Sequence, residues 1–212
     1  MRQFNWLDKL LLNAEQGLRT LSGHYMPATR PNPGAARPEP LLGTPSTRHA
    51  LGLMRVNHAG EVAAQGLYQG QALTARLPTA AAAMEQAARE ENDHLVWCQQ
   101  RVQELGGQVS HLTPLWYGGA FVVGALAGIA GDRWSLGFVA ETEHQVVKHL
   151  DQHLNSLPPQ DDKSRAILTQ MRTDELQHAT NALQAGGKNL PQPVKKLMQL
   201  TAKVMTTTAY YL

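Results

Sequence analysis

Two glutamate–histidine pairs with the same spacing are the residues of this chain most suited to chemistry. Glu91 and His94 form one Glu-x-x-His pair, and Glu175 and His178 form the other. Side chains three residues apart on a helix lie on the same face, with Cβ atoms about 5–6 Å apart. Each pair can therefore present a carboxylate and an imidazole to one ligand, and these are groups that bind transition-metal ions in proteins.

Apolar residues around each pair place it on the buried face of a helix. The first pair interrupts an apolar stripe at helical spacing, formed by Met84, Ala87, Ala88, Leu95, Cys98, Val102 and Leu105. The second pair interrupts a similar stripe, formed by Ile167, Leu168, Met171, Ala179 and Ala182. Burying unpaired charged groups costs several kcal/mol, so we expect a bound cation to compensate them.

Two further carboxylates would complete the ligand set of a di-metal helical bundle, in which two helices supply Glu-x-x-His and two others supply one Glu each. Glu61 is the only acid in its predicted helix and lies 30 residues before Glu91. Glu143 lies 32 residues before Glu175 and shares a helix face with apolar residues. Glu141 shares a face with polar residues and is predicted to be solvated. The similar intervals of 30 and 32 residues indicate that the chain contains the same pair of helices twice.

The predicted metal ligands are therefore Glu61, Glu91, His94, Glu143, Glu175 and His178. Four carboxylates and two imidazoles suit a pair of iron or manganese ions better than copper or structural zinc. We expect Glu91 and Glu175 to bridge the two ions, because each is adjacent in helical phase to its own histidine. Glu61 with His94 would complete one metal position, and Glu143 with His178 the other. No catalytic residue beyond these ligands is predicted.

An acid also precedes each bridging glutamate. One hypothesis is that Glu90 and Asp174 accept the free ring N–H of a metal-bound histidine on the opposite helix; the alternative is that both are surface acids. A third pair of the same spacing, Glu141 and His144, falls on a predicted polar face and is discarded as a chance match. A lone helical histidine such as His58 is predicted to be a core or surface residue.

Helical periodicity predicts an all-α chain without a sheet. The predicted helices span about Leu51–Leu77, Thr79–Leu105, Ser135–Leu157, Asp161–Ala185 and Pro193–Tyr210, with glycine or proline pairs between several of them. The predicted organisation is an N-terminal amphipathic helix at 1–26, a Pro-rich linker at 27–50 and a metal-binding domain at 51–212. The N-terminal helix could dock on the bundle or lie on a membrane, and docking is the favoured interpretation.

An apolar segment at 115–134 interrupts the bundle sequence. Its first seventeen residues contain no charge and five glycines, with small residues at every fourth position that allow close helix contact. The aromatic residues Trp116, Tyr117 and Trp134 bracket it, as at a membrane interface. A spanning helix would put the two Glu-x-x-His pairs on opposite sides of the bilayer, so we expect membrane contact without crossing. The alternative is a Gly-rich helix buried in the bundle.

Composition indicates an ordinary globular protein. Hydrophobic residues make up 42% of the chain and charged residues 17%, and the net charge of +2 gives no support to nucleic-acid binding. The only cysteine, Cys98, excludes a disulfide scaffold and fits a reducing compartment. The first twelve residues show no secretory-signal pattern, so a cytoplasmic location is expected.

Three motifs resemble the demethoxyubiquinone hydroxylase family. They are the run Arg55-Val56-Asn57-His58-Ala59-Gly60-Glu61-Val62, the motif Glu91-Asn92-Asp93-His94 and the motif Glu175-Leu176-Gln177-His178. The resemblance covers 51–212 and includes all six predicted ligand positions. The N-terminal helix and linker lie outside the shared core, as they would in a bacterial member.

The resemblance implies a ferritin-like four-helix bundle with two iron ions, peripherally bound at the cytoplasmic side of the cell membrane. It implies a late step of ubiquinone biosynthesis, in which O2 hydroxylates the ring of a polyprenylated methoxy-benzoquinone, demethoxyubiquinone. An external reductant such as NADH or a redox partner would supply electrons, and a homo-oligomer or accessory proteins of the pathway are expected partners.

Three alternatives share parts of this pattern. A ferritin-type ferroxidase uses similar ligands, although the apolar segment is difficult to place on a soluble cage. A rubrerythrin-like peroxide scavenger usually carries a Cys-rich iron domain, which one cysteine cannot form. A non-enzymatic scaffold would leave four buried carboxylates repelling one another.

Overall fold

Seven helices make up the part of the chain that the structure, a computed structural model, describes, namely residues 6–212. They are α1 (Trp6–Ser22), α2 (Thr44–Thr74), α3 (Pro78–Glu104), α4 (Thr113–Ile129), α5 (Asp132–Ser156), α6 (Asp162–Gln184) and α7 (Gln192–Tyr211). No strand occurs in this range, so the all-α prediction is confirmed. Phe4, which the sequence placed in the N-terminal amphipathic helix, lies outside the described residues.

Four of the helices surround a shared core. Helix α2 packs against α3, α5 packs against α6, and α3 faces α6. One buried cluster takes Met54 from α2, Trp97 from α3, Leu150 from α5 and Leu168 from α6. The apolar stripes predicted around the two Glu-x-x-His pairs thus face the interior, and the helices that carry the predicted ligands converge.

Proline and glycine define several helix ends. Helix α2 begins at Thr44, inside the stretch 27–50 that was predicted to be a linker throughout. Pro45 lies in its first turn, where proline is tolerated because the N–H that it lacks would have no partner within the helix. Gly106 and Gly186 follow the ends of α3 and α6 with φ values of +76° and +100°, a backbone conformation that favours glycine.

Helix α4 packs tightly on α2 through small residues. A Cβ atom on Gly124 would lie 2.1 Å from the carbonyl oxygen of Leu67, and one on Gly70 would lie 2.2 Å from that of Phe121. The small residues therefore allow the close helix contact that their spacing predicts. The opposite face of α4 is apolar and exposed, and consists of Leu115, Val122, Val123, Leu126 and Ile129. Within the described residues, no helix has both the length and the apolar character needed to cross a bilayer.

Helix α7 covers part of a face of α5 that was predicted to be solvated. Glu141 on that face is buried, and its Oε2 atom lies 2.7 Å from Lys195 Nζ on α7. The Gln145 side-chain amide also donates to Glu141 Oε1 at 2.9 Å. The prediction that Glu141 is solvated was therefore wrong, because helical phase within α5 cannot reveal a later helix that packs on its polar side.

Candidate metal centre

The six residues predicted as metal ligands all lie inside the four-helix core. Glu61 comes from α2, Glu91 and His94 from α3, Glu143 from α5, and Glu175 and His178 from α6. Each is buried, with at most 7% of its surface exposed. Their assignment as ligands stays a prediction, but the fold brings the side chains together from four helices.

Two carboxylates lie between the two imidazoles. His94 Nδ1 is 2.9 Å from Glu91 Oε2 and 3.0 Å from Glu175 Oε1. His178 Nδ1 is 3.0 Å from Glu175 Oε2 and 3.1 Å from Glu91 Oε1. Each glutamate therefore contacts one histidine with one oxygen and the second histidine with the other. This is the arrangement expected of two bridging carboxylates.

The two single glutamates both lie near this pair. Glu61 Oε2 is 3.8 Å from His94 Nδ1, and the ligand atoms of Glu61, Glu91, His94 and Glu175 all lie within 4.8 Å of one another. That group could hold one metal ion. Glu143 and His178 are not part of that group; Glu143 interacts with Glu175 and His178, so these residues could contribute to a second position.

Burial makes the charged form of these carboxylates unfavourable unless positive charge lies nearby. It raises the pKa of Glu61 and of Glu143 well above the usual range of a glutamate, and the charges of neighbouring carboxylates raise it further. Among the described residues, Glu91 Oε1 and Glu175 Oε1 are buried, and the histidine Nδ1 atoms 3.1 and 3.0 Å away from them lack the alignment of a hydrogen bond. Buried acceptors of this kind are costly unless something satisfies them.

The two histidines carry the positive charge when no metal is bound. Burial lowers the pKa of His94, but the charges of Glu91 and Glu175 outweigh burial and raise it well above the usual value. Burial likewise lowers the pKa of His178, but its close contacts with the same two glutamates outweigh burial and raise the pKa to about 12. Two divalent ions can replace these protons, because the donors are the oxygen and imidazole ligands that iron and manganese accept. The residues present therefore fit a di-metal centre.

Each histidine also forms a hydrogen bond across the bundle through its other nitrogen. His94 Nε2 lies 2.9 Å from Asp174 Oδ2, and His178 Nε2 lies 2.6 Å from Glu90 Oε2. Both acids therefore contact a histidine of the opposite helix, as hypothesised, although the Glu90 side chain is also 39% exposed. That the histidines they contact bind a metal stays a prediction. Because the Nδ1 atoms face the carboxylates, the acids hold each ring with Nδ1 directed to the metal positions.

Two residues at the centre were missed by the sequence analysis. The Tyr68 hydroxyl donates to Glu143 Oε1. Its helical phase, seven residues after Glu61, was a usable signal. Arg30 contacts Asp174 with Nη1 at 2.8 Å. No local spacing points to Arg30, which lies in the segment treated as a linker.

Comparison with known proteins is consistent with this geometry. Residues 48–209 match the sequence model of the family described as ubiquinone biosynthesis protein COQ7. A 3-demethoxyubiquinol 3-hydroxylase of Nitrosococcus oceani is 59% identical over 211 residues, covering 100% of this chain and 99% of the relative. Proteins of the same name from Azotobacter vinelandii and Pseudomonas putida are 58% and 56% identical, and each alignment covers 99% of this chain and 97% of the relative.

Proposed function

The chain belongs to the COQ7 family of ubiquinone biosynthesis proteins, and we propose that its buried Glu/His centre carries out the hydroxylation for which its relatives are named. It is a monooxygenase that hydroxylates the ring of a polyprenylated demethoxyubiquinol, a late step of ubiquinone biosynthesis. The relatives' name specifies the quinol, the reduced form of the ring that the sequence analysis described as a quinone. The observation that carries the proposal is the pair of glutamates, each in contact with both histidines.

Two iron ions would be held by the six buried residues within a ferritin-like bundle. Glu91 and Glu175 would contact both ions, while Glu61 with His94 and Glu143 with His178 would each complete one position. Bound there, the metal pair would supply the reduction of O2 that makes one oxygen atom available to the ring. The protein itself holds the ligands in place and keeps them in an apolar, water-poor interior.

Hydroxylation by O2 sets the requirement for a reductant. One oxygen atom enters the ring as a hydroxyl group and the other leaves as water. Each turnover therefore consumes two electrons and two protons in addition to the substrate and O2. An external donor such as NADH or a redox protein would supply the electrons. A homo-oligomer and accessory proteins of ubiquinone biosynthesis remain expected partners.

A peripheral position on the cell membrane fits the substrate and the surface of the protein. A polyprenyl tail is too apolar to leave the bilayer readily. Helix α4 exposes a row of large apolar side chains, including Leu115, Val122 and Leu126, and exposed apolar patches mark protein or membrane contacts. We place this face against the membrane, on the cytoplasmic side, where a free buried thiol such as Cys98 is usual.

Turnover with labelled oxygen tests the function. The iron-loaded full chain, a chemical reductant, ¹⁸O2 and a demethoxyubiquinol with a short prenyl tail should yield a ring-hydroxylated product that carries one labelled oxygen. Glu175→Gln, which removes a carboxylate that contacts both histidines, should abolish the product. Rapid iron oxidation or peroxide consumption without ring hydroxylation would contradict the proposal and support the ferroxidase or peroxide-scavenging alternatives.

A further inference from the structure

The segment between α1 and α2 is bound along the outside of α3. We call residues 25–39 the N-terminal strap. The Met26 backbone N–H donates to Asn92 Oδ1 at 3.2 Å, and the Asn92 amide donates back to the Met26 carbonyl at 3.0 Å. Further along, the Asn32 side-chain amide donates to Gln100 Oε1 at 2.8 Å. The strap precedes residues 48–209, which match the family model, and its contacts show that it is a packed element.

Arg30 is the residue of the strap that reaches the metal centre. Its Nε atom lies 2.9 Å from Asp93 Oδ2 on α3, and its Nη1 atom lies 2.8 Å from Asp174 Oδ2 on α6. The guanidinium also lies over the ring of Trp97, 5.0 Å from its centroid. A planar guanidinium with two carboxylate partners and an aromatic face has little rotational freedom. Arg30 therefore joins α3 to α6 in a fixed geometry.

One oxygen of Asp174 forms hydrogen bonds with both Arg30 and His94. Asp174 Oδ2 lies 2.8 Å from Arg30 Nη1 and 2.9 Å from His94 Nε2. Asp93, the second partner of Arg30, is itself held by Thr29, whose N–H and hydroxyl donate to it at 2.7 and 2.9 Å. The orientation of the His94 ring thus depends on a chain of charge-assisted hydrogen bonds that begins in the strap.

Among residues 6–212, no arginine or lysine supports the histidine in the other half of the centre. The partner of His178 Nε2 is Glu90, whose side chain is 39% exposed, against 15% for Asp174. In the described part of the chain, Glu90 forms no ion pair with a lysine or arginine; its further contact is with the Gln86 amide. The two metal positions, similar in their ligands, therefore differ in what holds those ligands.

We propose that Arg30 is a positioning residue that fixes His94 through Asp174, so that the metal position of Glu61 and His94 holds its ion more firmly than the position of Glu143 and His178. The N-terminal strap is then part of the metal centre. This inference rests on the proposed di-iron centre. Loss of an outer partner of a metal-binding histidine typically weakens metal affinity 10–100-fold, and that is the effect expected at one of the two positions.

Release of iron to a chelator tests the asymmetry. In the iron-loaded full chain, release should be biphasic, with one ion leaving in a fast phase and one in a slow phase. Arg30→Gln should accelerate the slow phase about 10–100-fold and leave the fast phase unchanged. In the Mössbauer spectrum, Arg30→Gln should change the signal of one iron ion and leave the signal of the other unchanged. In Arg30→Lys the slow phase should have a rate between those of the wild type and Arg30→Gln, because a lysine keeps the positive charge at Asp174 but lacks the planar guanidinium.

Arg37→Gln is the matched control, because it removes the same charge from an exposed position in the same strap. It should release iron as the wild type does. Wild-type release and an unchanged Mössbauer spectrum in Arg30→Gln would overturn the inference. Equal acceleration of both phases, together with a lower melting temperature of the metal-free protein, would also overturn it in favour of a general structural role. A wild-type chain that binds no iron would instead refute the proposed function on which the inference rests.

Discussion

His94 on α3 and Asp174 on α6 form a hydrogen bond across the bundle, with Nε2 2.9 Å from Oδ2. His178 on α6 and Glu90 on α3 form the reciprocal bond. Each acid directly precedes the glutamate that contacts both histidines. The two helices therefore exchange their supporting groups, so that each histidine is positioned by the helix opposite to its own. A shift of α3 relative to α6 would disturb both histidines together.

Replacing Asp174 with asparagine should weaken iron binding about 10–100-fold. The hydrogen bonds to His94 and Arg30, working against burial, lower the pKa of Asp174 to about 2, so the acceptor is a carboxylate at neutral pH. An asparagine keeps the shape but removes that charge. Equilibrium titration with Fe²⁺ in the absence of O2 measures the affinity. Asp151→Asn is the control, because it removes only a surface ion pair with Arg172; equal affinities in both variants would show that Asp174 does not support the centre.

Two acids of α5 should behave differently when each is changed to glutamine. Glu143→Gln should lose the ion of its own metal position and its hydroxylase activity, since Glu143 interacts with Glu175 and His178 inside the core. Glu141→Gln should keep both ions and lose about 1 kcal/mol of stability, because Lys195 loses its ionic partner. Iron content and the urea midpoint of the two variants provide the comparison. Iron loss in Glu141→Gln alone would mean that the ligand assignment on α5 is incorrect.

Helix α4 should carry the membrane contact. Leu126→Glu places a charge in the exposed apolar face and should weaken binding to phosphatidylethanolamine–phosphatidylglycerol vesicles at least about tenfold, since burying a leucine is worth about 1.5–3 kcal/mol. Co-sedimentation measures the bound fraction. Leu41→Glu is the control, because Leu41 is also exposed but lies outside α4. Equal binding by wild type and Leu126→Glu would contradict the assignment of this face.

His58 should make the metal-free protein sensitive to acid. Burial lowers its pKa from the usual 6.5 to about 4, and Tyr25 shares a hydrogen bond with its Nε2 atom at 2.8 Å. Because the folded pKa is depressed, the unfolded chain binds the proton first. The stabilisation from a neutral His58 is therefore complete above pH 6.5 and is lost as pH falls toward about 4.

Between pH 7 and pH 5 this loss should amount to about 2 kcal/mol for one histidine. Urea unfolding at the two pH values measures the free energy of unfolding at each. In His58→Gln the difference between the two values should be smaller by the same amount, even if the variant is less stable at both. The same change with pH in both proteins would show that His58 does not titrate with unfolding.

The part of the centre that the sequence predicts is the part encoded by local spacing. Glu91 with His94, and Glu175 with His178, are placed by the geometry of one helix turn, and the apolar residues around them indicate the buried face. The cross-helix bonds of Asp174 and Glu90 were only one of two open interpretations, because an acid that precedes a buried glutamate can also face solvent. For the two Glu-x-x-His pairs, sequence and structure agree because each inference stays within one helix.

The inferences that failed depend on contacts between distant segments. Glu141 is buried because α7, about fifty residues later, supplies Lys195 to cover it. Arg30 reaches Asp174 across 144 residues of sequence, and proline-rich composition made its segment resemble a linker. No helical periodicity encodes such pairings, so only the assembled fold reveals them.

The iron content of the full chain tests the central claim most directly. Protein reconstituted with Fe²⁺ without O2, then separated from free metal, should contain about two iron ions per chain, because six ligands with two shared carboxylates form two positions. Glu91→Gln, which removes one shared carboxylate, should retain clearly less. A wild-type chain that retains no iron, or as much iron as the variant, would contradict the di-iron centre.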